Sequence, residues 1–167
     1  MSETERSFTK TRSNNQTEKQ AVALLLSLEP RFQVLPSPVK NGLLDALGLR
    51  GEFTNRVFDL VMTPTPMAPL ELADVVRLKD EIVLIETKST KKPIQDENLH
   101  GFFFGATDSE YRVARRLGSR YLFAFTVLNP NNPLGRPFFK LLDIDAIEAR
   151  TQSKRIQYQV NFGRKTA

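Results

Sequence analysis

The feature that most constrains this chain is the run Ile82, Val83, Leu84, Ile85, followed directly by Glu86, Thr87 and Lys88. Four consecutive apolar residues, three of them β-branched, read as a strand buried on both faces. A carboxylate placed at the end of such a strand is costly unless it is paired or holds a cation. Glu86 and Lys88 are two positions apart, so in a strand their side chains share a face. The bland alternative is that Glu86 is a solvated strand-end residue and that Lys88 opens a basic loop with Lys91 and Lys92.

Upstream, Val75 to Leu78 forms a second apolar-rich run, separated from Ile82 by the polar Lys79, Asp80 and Glu81. The pair of runs predicts a β-hairpin. With a three-residue loop Leu78 opposes Ile82 and Asp74 opposes Glu86, so that two carboxylates and an ammonium converge at one end. A two-residue loop reverses the facing, and no Gly is present to favour either turn. Asp59 is a rival acid, on a strand expected within Arg50 to Met62. Prolines 64, 66 and 69 separate it from the hairpin, which favours Asp74. Glu52 and Glu71 are expected to be solvated acids or outer supports of the site.

At these residues the chain resembles the P-D…(D/E)-x-K nuclease superfamily, with its restriction-endonuclease-like fold. Asp74 and Glu86 match the two metal-binding acids and Lys88 the lysine, with Ala73 in place of the proline. The longer stretch IETKST…GFFFGATDSEYRVARRLGSRYLFAFTVLN is similar to the domain of unknown function at the C-terminus of NO VEIN-type proteins. The resemblance implies a phosphodiesterase dependent on Mg²⁺, with Mn²⁺ as a substitute, in which Asp74, Glu86 and the Thr87 carbonyl supply hard oxygen ligands. Lys88 would orient or deprotonate the attacking water. The implied substrate is DNA, with RNA as the alternative polymer; a second copy of the chain is a further candidate partner. A competing expectation is a module of the same fold that binds nucleic acid, or serves assembly, without hydrolysis. A third is an unrelated α/β protein in which Glu86 and Lys88 form an ion pair.

Composition narrows the classes. The 167 residues predict one domain with a core large enough to stand without staples. No cysteine and a single histidine exclude disulfides and thiolate zinc sites and leave few constellations for zinc or haem. No apolar leader or long apolar run is present, which predicts a soluble cytoplasmic protein. A formal charge of +5 suits a polyanionic partner, although many proteins without one are as basic.

Along the chain, residues 1–16 are polar and are expected to form a flexible arm, plain or tracking nucleic acid through Arg6, Lys10, Arg12 and Lys19, ahead of a single domain over residues 17–167. A helix is expected from Thr17 to Pro30 and a short one over Val39 to Leu47. Phe102, Phe103 and Phe104 predict a short strand or packed ledge, with core packing favoured over base stacking, and His100 reads as a loop residue. Thr107 and Glu110 fit a capping box opening a helix that ends at Gly118. That helix carries Arg112, Arg115 and Arg116, with Arg120 beyond it; they are the candidate phosphate contacts, together with Lys91 and Lys92. Strands are expected at Tyr121 to Leu128, Phe138 to Leu142 and Arg155 to Phe162, and a short helix at Asp143 to Ala149. The order helix, strand, hairpin, helix, strand predicts an α/β fold with an αβββαβ core: a central mixed sheet flanked by helices, as in the restriction-endonuclease-like fold.

Overall fold

Five strands form one mixed sheet in a computed structural model that describes residues 3–151 and 153–154, with side chains described from residue 15 onward. The strands are β1 (Phe32–Gln33), β2 (Leu60–Met62), β3 (Val83–Thr90), β4 (Tyr121–Val127) and β5 (Phe138–Leu142), and they lie side by side in sequence order. β1, β2 and β3 run antiparallel, β3 and β4 are parallel, and β5 returns antiparallel to β4. The helices are α1 (Glu3–Leu28), α2 (Ser37–Ala46), α3 (Leu72–Arg77), α4 (Asp108–Leu117) and α5 (Ile144–Arg150). A parallel neighbour demands a crossover, and α4 provides it between β3 and β4.

The alternation of β3 and β4 builds two apolar layers. Ile85, Leu60 and Ala124 pack against Leu25 of α1 and Phe32. On the other face Leu84, Tyr121, Phe123 and Phe125 pack against Leu43 and Leu44 of α2, Val75 of α3, Val113 and Ala114 of α4, and Ile147 of α5. The buried Tyr121 hydroxyl donates to the Val57 carbonyl at 2.5 Å, so its polar end is satisfied within the core. Among the described residues no helix is long and apolar enough to cross a membrane.

The hairpin expected at Val75 to Ile85 is not formed, because its first arm is α3. Glu71 and Asp74 close a capping box: the Glu71 amide donates to Asp74 Oδ2 at 3.0 Å, and the Glu71 side chain accepts from the Asp74 amide. Val75 and Leu78, three apart, are buried, while Val76 is half exposed, which is helical and not strand alternation. At Gly42 of α2 the Leu72 side chain of α3 comes close, so that a Cβ there would stand 2.1 Å from Leu72 Cδ1 and the leucine would have to turn aside.

Other boundaries move as well. The strand expected within Arg50 to Met62 is reduced to β2, and Phe102 to Phe104 lie in a loop. α1 begins at Glu3, so most of the expected arm is helical; the side chains of Arg6, Lys10 and Arg12, and the strand expected over Arg155 to Phe162, lie outside the described residues. β4, β5, α4 and α5 fall within one or two residues of their expected ranges. Gly118 ends α4 at φ +57°, a conformation that strains residues bearing a Cβ.

Candidate functional site

β3 carries Glu86 and Lys88 into the interior, where both are nearly enclosed, with side-chain exposures of 9% and 11%. Lys88 Nζ lies 2.8 Å from Glu86 Oε1 and 2.8 Å from Glu110 Oε2. Glu110 has two tasks. Its Oε2 also accepts from the Thr107 amide at 3.0 Å, while Thr107 Oγ1 accepts from the Glu110 amide at 3.2 Å. The capping box read from the sequence is therefore present, and it fixes a carboxylate against the candidate lysine.

The acid brought beside Glu86 is Asp59. Asp59 immediately precedes β2, which pairs antiparallel with β3 through Leu60 opposite Ile85. The Thr87 amide donates to Asp59 Oδ2 at 2.9 Å, and the Asp59 amide donates to the Ile85 carbonyl at 2.9 Å. Burial first, then the charge of Asp59, push the Glu86 carboxyl up to about 9, against the pull of Lys88. Burial alone would lower the Lys88 ammonium, but Glu86 and Glu110 outweigh it and hold it above its ordinary value.

Glu86 Oε2 is buried with no hydrogen-bond partner, as is Thr87 Oγ1. Since Thr87 alternates with Glu86 along β3, its side chain is on the opposite face. An orphaned carboxylate oxygen beside a second acid fits a hard cation. Among the described residues no group of three or more His, Cys, Asp or Glu side chains is arranged to hold a metal ion. Mg²⁺ needs no such cage, because it keeps several waters and uses one or two carboxylates.

Two groups that the sequence reading did not single out border the site. Glu18 of α1 is raised by burial and by the charge of Asp59. Lys40 of α2 is lowered by burial, offset in part by Asp59, Glu86 and Glu18; its ammonium donates to the Phe58 carbonyl at 2.8 Å and sits 4.7 Å from the centre of the Phe58 ring. Nothing local marks either residue. A glutamate and a lysine on helices look like solvated positions until the fold brings those helices to β2 and β3.

Asp74 is absent from this cluster, contrary to the hairpin reading. Its carboxylate is committed to the cap of α3 and to Arg77 at 3.1 Å, and these contacts hold it below its ordinary range. The arginines of the α4 face have protein partners. Arg112 and Arg116 both bond Glu52, the latter at 2.6 Å; Arg115 bonds Glu148; and Arg120 donates to the Lys79 carbonyl at 3.1 Å, with Asp80 at 3.6 Å. Acids distant in sequence thus neutralise a patch that has no acid within it. Glu71 serves the α3 cap. His100 pairs with Asp96 at 2.5 Å on the surface. Lys91 and Lys92 are exposed in the loop after β3, with no ion pair among the described residues.

Compared with known proteins, the chain matches no protein-family model, no curated protein and no solved structure.

Proposed function

We propose that the protein is a divalent-cation-dependent nuclease that hydrolyses phosphodiester bonds, in DNA before RNA, with Asp59, Glu86 and Lys88 as its reacting cluster. The observation that carries this reading is the state of Glu86: one oxygen is held by Lys88, the other is buried without a partner, and the charge of Asp59 acts on the same carboxyl. A purely structural ion pair has no need of a further, half-buried acid that repels Glu86. The restriction-endonuclease-like resemblance is supported by the strand order and by the crossover through α4, with Asp59 taking the role that the sequence pattern gave to Asp74.

In this reading Asp59 and Glu86 hold Mg²⁺ or Mn²⁺, with the Thr87 carbonyl as a further donor. The cation, when bound, offsets charge that builds on the phosphoryl oxygens. Lys88 gives two of its three N–H bonds to Glu86 and Glu110, which fixes the ammonium and leaves one donor to orient a water or a phosphate oxygen. The water oxygen attacks phosphorus and releases a proton to bulk water, the bond to the leaving oxygen breaks, and that oxygen takes up a proton from bulk water. Glu110 holds Lys88 in position through a rigid helix start.

One observation favours a second reading, a module that binds nucleic acid without cleaving it. Lys88 is clamped between two carboxylates, the arrangement expected of a buried structural triad. Incubation of labelled DNA with Mg²⁺ or Mn²⁺ separates the two. The nuclease reading expects cation-dependent cleavage that Lys88→Ala abolishes, with DNA affinity close to wild type. Binding by the wild-type protein without cleavage under either metal would select the second reading.

A further inference from the structure

Beside Asp59 the surface opens into a cleft of ≈ 740 Å³, within the roughly 300–1,000 Å³ typical of ligand sites. Glu18 and Asp59 line it together with Lys40, Asn55, Arg56 and Phe58. Its lining therefore mixes charges, the acids Glu18 and Asp59 with a lysine, an arginine and an amide. Arg56 is exposed and makes no ion pair or hydrogen bond among the described residues. That sets it apart from Arg112, Arg115, Arg116 and Arg120, whose guanidinium groups are all occupied by protein acceptors.

Lys40 is held in place by the Phe58 carbonyl and ring, so its charge is fixed at the wall of the cleft and not free to sweep the surface. A fixed ammonium and a guanidinium without a partner among the described residues line the same cleft and suit an acceptor of negative charge that enters it; a phosphodiester is such a group.

We infer that the cleft walled by Lys40, Asn55 and Arg56 seats the backbone of the nucleic-acid strand, taking a phosphate that neighbours the one presented to Asp59 and Glu86. This rests on the nuclease reading for its substrate class and assigns the grip to the α2 side of the site in place of the α4 arginines. Asn55 contributes an uncharged amide beside Arg56. The acids Glu18 and Asp59 of the same cleft repel a phosphate unless a cation is bound beside them, so the grip falls to Lys40, Asn55 and Arg56.

The test measures affinity of the full chain for a short fluorescent DNA duplex, and for its single strand, with chelator present over a range of salt. Cleavage of the same DNA is then followed with Mn²⁺. Arg56→Ala is expected to weaken binding about fivefold and to reduce the slope of log affinity against log salt by about one; Arg56→Glu is expected to weaken it further. In cleavage, KM rises and kcat is retained. Arg56 is exposed and makes no hydrogen bond or ion pair among the described residues, so its removal is expected to leave the fold intact, as circular dichroism would verify; Lys40→Gln is the secondary variant. The double variant Arg112→Ala with Arg116→Ala is the comparison, expected to change affinity less than twofold.

Wild-type affinity retained in Arg56→Glu, or lost in the α4 double variant alone, overturns the assignment while leaving the nuclease reading intact. Binding that depends on Arg56 without cleavage under any metal overturns the nuclease reading and keeps the cleft. A wild-type protein that neither binds nor cleaves overturns both. Equal competition by inorganic phosphate and by the oligonucleotide would reduce the cleft to a site for a free anion and contradict the strand assignment.

Discussion

The Thr87 amide donates to Asp59 Oδ2 at 2.9 Å, which ties the carboxylate that precedes β2 to the residue between Glu86 and Lys88. The bond fixes one Asp59 oxygen and sets its charge beside Glu86, where it opposes ionisation of that buried carboxyl. A position adjacent to a short strand thereby becomes part of a cluster with Glu86 and Lys88.

The first consequence is a pH dependence of stability without metal. A carboxyl whose folded-state pKa is raised binds a proton on folding, so stability falls as pH rises from the unfolded value of 4.5 to the folded value of about 9. Denaturant unfolding in chelator should show the metal-free protein less stable at pH 8 than at pH 6. Glu86→Gln should remove much of that slope and stabilise the metal-free protein at pH 8, by on the order of 1–3 kcal/mol. A flat wild-type profile would contradict the burial and repulsion assigned to Glu86.

Asp74 is expected to behave as a helix-cap residue. Asp74→Ala should cost about 1 kcal/mol of stability through loss of the capping box and should leave cleavage unchanged. A chemical-denaturation midpoint and a cleavage rate on the same preparation decide this; loss of activity with stability intact would restore Asp74 to the site.

The aromatic loop separates packing from exposure. Phe102 and Phe104 meet Phe125 edge-on, at 5.1 and 4.9 Å between ring centres, whereas Phe103 is 91% exposed. Phe104→Ala should destabilise by about 1–3 kcal/mol. Phe103→Ala should stay within about 0.5 kcal/mol. Thermal melts of the two variants, compared with wild type, test the division.

Much of this arrangement is legible in the sequence where local signals and burial agree. The apolar run through Ile85 predicts β3, Glu86 and Lys88 fall on one face, Thr107 and Glu110 predict the cap of α4, and Tyr121 onward predicts the central β4. The sequence misleads at Val75 and Val76, whose β-branched side chains suggest a strand. A capping box and burial against α2 override that propensity, and the register argument for Asp74 fails with it. Asp59 is visible as a rival because it falls on the strand expected within Arg50 to Met62. Its tie to the Thr87 amide depends on pairing between strands separated by α3, which no local pattern reports. The partners of the arginine face are hidden from the sequence for a related reason, since Glu52 and Glu148 are brought to it only by tertiary packing.

The central claim, that Asp59 and Glu86 share a divalent cation for phosphodiester cleavage, is tested most directly by isothermal titration of Mn²⁺ into wild type, Asp59→Asn and Asp74→Asn, with DNA cleavage followed in parallel. Asp59→Asn keeps the shape of the side chain and an oxygen able to accept from the Thr87 amide, so the metal-free fold should hold while Mn²⁺ binding and cleavage fall by at least about tenfold. Asp74→Asn should bind and cleave as wild type. Undiminished Mn²⁺ binding and cleavage in Asp59→Asn, with both lost in Asp74→Asn, would contradict the account.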